Sequence, residues 1–241
     1  MGVHGGPDIV TDELHYAMDP ANKQSYTSGS SNGVSSIAGP VPTGTLGASN
    51  TFSSDNGGIL NFDGGSDYIQ VASDGSTTGF NSQTYTICSF SNYNGVGYGP
   101  LWSFDYTAHS SPYYAQHIRY NNANSMLWIY GAHESGASTS ATINSMHNMW
   151  NFFAFVRDFS NNTAKIYYKG PAESYTVPTE VASNTNTYSA TTFYSQEVWI
   201  GTVNWGSRLT GKLGPQLFYT KALSQAEITQ VFNAYRERFG L

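Results

Sequence analysis

One helix closes this chain, and what that helix needs limits what the rest can be. From Leu213 to Tyr219 the sequence reads as a strand; a turn follows, and an amphipathic helix runs to the end. Ser224 with Glu227 three residues later is a reciprocal capping box. Ile228, Val231, Phe232, Tyr235 and Phe239 form a single stripe at helical spacing. Arg236 and Arg238 lie in the last turn, where cations suit the helix dipole, and Gly240 supplies the stop. No other segment carries so complete a helical signal. A helix with this many rings on one face needs a broad apolar surface to lie on, and the preceding sequence reads as β.

The strands follow from alternation and turn chemistry. Leu14 to Met18 alternates and closes at Asp19-Pro20. Residues 22–50 are rich in Ser, Gly, Thr and Asn and form a long loop; too little precedes them to make a separate core. Ile59 to Phe62 and Tyr68 to Val71 flank Asp63-Gly64-Gly65-Ser66, as a hairpin or as two successive strands. Tyr85 to Phe90 and Leu101 to Tyr106 are strands. His117 to Tyr120 and Met126 to Tyr130 flank Asn121-Asn122-Ala123-Asn124 as a hairpin. Trp150 to Arg157 is apolar on both faces: Trp150, Phe152, Ala154 and Val156 on one, Phe153 and Phe155 on the other. That pattern marks a central strand with a layer on each side. Ala164 to Tyr168, Val198 to Gly201 and Gly211 to Tyr219 complete the β part. Many short strands separated by turns predict an all-β sandwich or barrel. Residues 1–13 read as an N-terminal arm, rich in glycine, whose Val3, Ile9 and Val10 could add a strand to a partner; residues 14–241 read as one domain.

Composition narrows the function classes. Charged residues are 11% of the 241, and the net charge is −6 with ten Lys and Arg. Nucleic-acid and anionic-membrane partners leave basic clusters, and there are none here. No apolar run is long enough to span a bilayer. Cys88 is the only cysteine, which excludes a disulfide framework and a thiolate metal cluster and suits a small buried residue. Residues 1–12 lack the basic and apolar regions of a signal peptide. The polar, weakly charged composition is common in extracellular proteins; without a visible export signal, either a signal has been removed or the protein reaches the outside another way, of which a virus particle released by lysis is one.

Several motifs, in order, resemble a known family. They are Asn61-Phe62-Asp63-Gly64 with Asp67-Tyr68-Ile69; Trp150 to Arg157 with its return strand to Tyr168; Ile200-Gly201; and Gly211-Lys212-Leu213-Gly214 leading to Phe218-Tyr219, Lys221-Ala222-Leu223-Ser224 and Glu227-Ile228. Their order and spacing resemble the laminin-G-like (type 3) domains of the concanavalin A-like lectin/glucanase superfamily, in particular those of bacteriophage structural proteins. The resemblance covers about residues 14–241. It implies two stacked antiparallel sheets in a jelly roll, with the C-terminal α-helix packed outside.

This fold hosts lectins, adhesion modules, glycosidases and structural parts, so the residues must choose. Glycoside hydrolysis needs two carboxylates flanking the scissile bond. Glucanases of the superfamily place them on one strand as Glu-x-Asp-x-x-Glu, which is absent; Glu134, Glu173, Glu180 and Glu197 each stand alone. There is no Gly-x-Ser-x-Gly elbow, and His109, His117, His133 and His147 read as surface or rim residues. The chain is therefore expected not to be an enzyme. Calcium, which relatives of the fold bind at one rim, has Asp63 and Asp67 as candidate ligands; the alternative is that both tie a tight turn to its own backbone. Glycan contacts are expected where aromatic rings and amides share loops: Tyr93, Tyr98, Tyr113, Asn121, Asn204, Trp205 and Arg208. Rings packed on their own chain or on a neighbouring subunit are the alternative.

The function expected is that of a non-enzymatic part on the outside of a bacteriophage particle, a head decoration or tail-associated protein that is a homo-oligomer or present in many copies, with capacity to bind glycans. Its partners would be other capsid or tail proteins and cell-surface glycans. The alternatives are a carbohydrate-binding adhesion module of a surface protein and a glycoside hydrolase.

Overall fold

Trp150–Asp158, the strand with the densest apolar sequence, lies inside the first of two antiparallel sheets, and its two faces define the layers of the molecule. The computed structural model describes residues 8–27, 33–38, 43–47, 50–72, 80, 82–105, 116–122, 124–129, 138–144, 146–185, 197–203 and 206–241. In chain order the strands are β1 (Leu14–Met18), β2 (Val34–Ser35), β3 (Thr43–Leu46), β4 (Thr51–Ser53), β5 (Ile59–Asp63), β6 (Ile69–Ala72), β7 (Tyr85–Tyr93) and β8 (Gly99–Asp105). There follow β9 (Gln116–Asn122), β10 (Ser125–Ile129), β11 (Ser138–Thr142), β12 (Trp150–Asp158), β13 (Thr163–Lys169), β14 (Thr179–Asn184), β15 (Glu197–Ile200), β16 (Thr210–Tyr219) and the helix α1 (Gln225–Phe239).

The first sheet has the order β14-β13-β12-β7-β16-β5-β4, with β1 also paired to β16; the second is β11-β10-β9-β8-β15-β6-β3-β2. Between them lies the main core, to which β12 contributes Phe153 and Phe155. On the other side of the first sheet, Phe152, Ala154 and Val156 of β12 meet Ile228, Val231, Phe232 and Phe239 of α1. Phe90 of β7 sits under the helix, 4.9 Å from Phe239 and 6.4 Å from Phe232, both stacked. The first sheet is thus buried on both faces, as the double-sided apolar sequence of β12 requires.

The helix ends are built as their sequence specifies. The Ser224 hydroxyl accepts the Glu227 N–H at 3.3 Å, and the Glu227 carboxylate accepts the Ser224 N–H at 2.8 Å. Lys221 Nζ, 2.7 Å away, holds the Glu227 carboxyl below its ordinary range. Gly240 takes the left-handed conformation at φ 68° and closes the helix. Replacing Ser224 by Ala orphans the Glu227 N–H and is expected to cost about 1 kcal/mol. In a chain of this length that is roughly 2–4 °C in Tm, read by thermal denaturation.

The segments around Asp63 to Asp67 are two successive strands and not a hairpin, the second of the two readings: β5 pairs with β16 in one sheet and β6 with β15 in the other. The turn between them carries the chain across the sandwich. Nor does the arm stay free at its inner end. Val10 is buried and Ile9 half-buried against the cluster beneath α1. The Tyr219 hydroxyl donates to the Val10 carbonyl at 3.1 Å, and Gln230 Nε2 to the Asp8 carbonyl at 2.8 Å. The outer face of β16 and the helix leave an apolar margin, and this segment covers it. Val3 lies outside the described residues.

Candidate site at one end of the sandwich

Strand pairing brings several turns to one end of the molecule. Asp63 and Thr210 are register partners there, as are Gly211 and Tyr93, and Gly99 and Tyr120. The Asn94 N–H donates to the Thr210 carbonyl and the Gly201 N–H to the Leu101 carbonyl. The described residues of the turns around 63–67, 94–98, 121–124, 143–149 and 201–209 therefore share this end.

The floor is rigid and polar. The Tyr93 ring stacks on Tyr120, centroids 4.5 Å apart and planes 10° from parallel. The Ser91 hydroxyl pairs with the Tyr120 hydroxyl at 2.8 Å, and Tyr168 donates to Asn151 Oδ1 at 2.8 Å. Asn151 Nδ2 donates in turn to the Met146 and Met149 carbonyls at 2.9 and 2.7 Å. Burial raises the titration of the Tyr93, Tyr120 and Tyr168 hydroxyls above the ordinary phenol range, so they act here only as neutral hydrogen-bonding groups.

The walls rise from this floor. The Tyr93 hydroxyl donates to the Gly97 carbonyl and fixes the 94–98 turn. A Cβ on Gly99 would come within 2.5 Å of the Tyr93 ring, so glycine is what lets strand β8 start there. The turn lifts Val96 and Tyr98 into solvent, 95% and 53% exposed. Opposite, Asn122 Oδ1 accepts the Asn124 N–H at 2.8 Å, and the Asn124 carbonyl accepts the Ile143 N–H at 2.8 Å. His147 bridges to Tyr93, and its Nδ1 lies 2.9 Å from Asn148 Nδ2. An amide nitrogen only donates, so Nδ1 accepts and Nε2 carries the hydrogen; that atom is buried without a hydrogen-bond partner. Val96, Asn122, Asn124, Ser125, Thr142 and His147 enclose a cleft of about 430 Å³, within the range of small-ligand sites. Its polar groups are amides, hydroxyls and an imidazole, and its described lining holds no carboxylate.

The residues expected from sequence divide as follows. Tyr98 and Asn121 stand beside the cleft, Tyr98 half-exposed and Asn121 half-buried. Tyr93 is buried to 1% and supports the site instead of presenting a stacking face; its hydroxyl is used within the chain. Arg208 lies on the 201–209 turn, its Nη1 3.4 Å from the Val203 carbonyl. Tyr113, Asn204 and Trp205 lie outside the described residues. Asp63 and Asp67 are tied to their own turn: Asp63 Oδ1 accepts the Gly65 N–H at 2.7 Å and Asp67 Oδ2 the Asp63 N–H at 2.5 Å, with Asp67 fully buried. One oxygen of each carboxylate thus serves the turn, as the alternative reading expects. His147 is at the rim as expected. His117 is not; it is 2% exposed on β9. Thr142, Ser125 and Arg119 had no motif to mark them, since only the folded hairpin brings them here.

A family-level sequence profile, Laminin_G_3 of the Concanavalin A-like lectin/glucanases superfamily, matches residues 63–229. No curated protein matches the chain. Among solved structures the fold is similar to Trypanosoma rangeli sialidase, at 12% identity and TM-score 0.66 over 95% of this chain and 34% of the sialidase. It is also similar to domain 4 of AbnA, a GH43 extracellular arabinanase from Geobacillus stearothermophilus, in complex with arabinotriose, at 15% identity and TM-score 0.58, covering 92% of this chain and 99% of that domain. A third is the CBM40 of Ruminococcus gnavus IT-sialidase bound to alpha2,3 sialyllactose, at 15% identity and TM-score 0.56, over 72% of this chain and 95% of that one. The chain spans about a third of the length of the sialidase it matches.

Proposed function

The chain belongs to the laminin-G-like family of the concanavalin A-like lectin/glucanase superfamily, and on that footing we propose that it binds glycans without turning them over, on the outside of a bacteriophage particle. The observation that carries the binding role is the end cleft: amide, hydroxyl and imidazole groups of Asn122, Asn124, Ser125, Thr142 and His147, beside the half-exposed Tyr98. Sugars present hydroxyls to such groups and their apolar faces to such a ring. Non-catalytic binding is favoured because hydrolysis needs two flanking carboxylates, and the described lining offers none. The neighbours in complex with arabinotriose and with sialyllactose support this use of the fold.

A glycan array, run with calcium and with EDTA, tests the binding role. Tyr98→Ala is expected to weaken bound glycans roughly tenfold, the ~1.4 kcal/mol of a well-placed aromatic contact. Wild-type protein that retains no glycan under either condition would remove the binding role. EDTA is expected to change nothing, because Asp63 and Asp67 are held by their own turn.

The particle location rests on the resemblance of the motif set to phage laminin-G-like domains and on the weakly charged composition. Peptide mass spectrometry of purified particles tests it, with this chain expected in many copies. Particles that lack it would leave the adhesion-module reading.

A further inference from the structure

Arg119 occupies an unusual position for a cation. It lies on the outward side of the second sheet, with Pro100 and Leu127 as register partners, and is 7% exposed. The Tyr98 ring covers its guanidinium at 4.2 Å. Its Nε is buried with no hydrogen-bond partner. Among the described residues the ion pairs are Lys165–Glu180, Lys221–Asp12, Lys221–Glu227 and Arg238–Asp19, so no carboxylate there answers Arg119. Buried charges are ordinarily paired, because an unanswered one loses its hydration without return. This one persists in a chain whose net charge is −6.

The surroundings point the same way. His117, two residues earlier on the same face, is held neutral by burial and then by the charge of Arg119. Tyr98 is carried on a turn with room around it: a Cβ on Gly97 would meet nothing within 4 Å. Leu127 and Ser125 share β10, so the guanidinium lies one step from the cleft. A guanidinium presents a planar fork of donors that matches a carboxylate.

We propose that Arg119 and Tyr98 form a subsite for the carboxylate of an acidic saccharide, extending the cleft. The carboxylate meets the N–H edge of Arg119, and the sugar ring lies against Tyr98. The inference rests on the glycan-binding reading and adds the ligand's charge to it.

The test needs no variant at first. Oligosaccharides of galacturonan and alginate, and sialyllactose, are titrated into wild-type protein as free acids and as methyl esters, beside a sulfated galactan and the neutral glycans of an array. At least one free acid is expected to bind tenfold or more tighter than its ester and tighter than the sulfated chain. Arg119→Gln is expected to abolish that preference and Arg119→Lys to restore it only in part. Equal affinity for every acid and its ester, a preference for sulfate, or a preference that survives in Arg119→Gln would overturn the inference. If neutral glycans still bound, the general reading would stand; if nothing bound, both would fall.

Discussion

Replacing Phe218 by Ala is expected to cost about 3–5 kcal/mol, the range for deleting a buried aromatic ring from a core that cannot close the gap. Phe218 is fully buried at the centre of the space between the sheets. Its ring lies 4.9 Å from Phe80, 5.6 Å from Tyr85, 5.9 Å from Phe104 and 6.2 Å from Trp102. Two of these neighbours are pinned and cannot move in. Tyr85 donates to Gln116 Oε1 at 2.7 Å, and Trp102 Nε1 to Gln216 Oε1 at 3.0 Å. Relaxation would break a buried hydrogen bond, so the cavity stays. A urea titration with an unchanged slope reads the loss. Phe218→Leu, which keeps most of the volume, should lose far less. A cost below ~1 kcal/mol for the Ala variant would mean that the sheets collapse onto the gap despite these bonds.

Acid should destabilise the fold through one residue more than any other named here. Burial first, and the charge of Arg119 second, push His117 down to about 3; in the unfolded chain an imidazole titrates near ~6.5. Between those values the unfolded state binds the proton and the folded state does not. The contribution is therefore complete above the unfolded value and is lost as pH falls toward the folded one. The slope approaches ~1.4 kcal/mol per pH unit, so roughly 3 kcal/mol disappears between pH 6.5 and pH 4. Glu227, whose pKa is depressed by Lys221, loses stability in the same direction at lower pH. The difference between wild type and His117→Gln isolates the imidazole. Denaturant midpoints at pH 7, 5.5 and 4 should fall for the wild type and fall much less for the variant. Parallel curves would show that another group carries the acid sensitivity.

The parts legible in sequence are those in which periodicity and burial coincide. The helix stripe, its capping box and the double-sided face of β12 all appear in the structure where the residues place them. The polar edge strands were not legible. β11 (Ser138–Thr142) and β14 (Thr179–Asn184) carry Ser, Thr and Asn and show no apolar alternation. They exist because β10 and β13 offer unpaired edges, and the Asn184 amide donates across to the Ser138 carbonyl at 2.6 Å. The crossing at Asp63 to Asp67 was ambiguous because a hairpin turn and a sheet-to-sheet turn use the same residues. Of the site, the Tyr- and Asn-rich loops could be named, and Tyr98 and Asn121 stand beside the cleft. That Tyr93 would turn inward, or that Arg119 would lie beneath a ring, depends on which face of a strand becomes covered. Alternation alone does not say which face that is.

The covered margin beside the helix also fixes how such a domain can be strung together with others. Asp8 is hydrogen-bonded to the middle of α1, the Glu13 carbonyl accepts the Thr220 N–H, and Leu241 packs partly against the same cluster. Asp8 and Leu241 thus both lie on the outward side of the first sheet, while Arg119 belongs to the outward side of the second. A flanking segment or a host polypeptide could be joined at both points without crossing the face proposed to hold sugar.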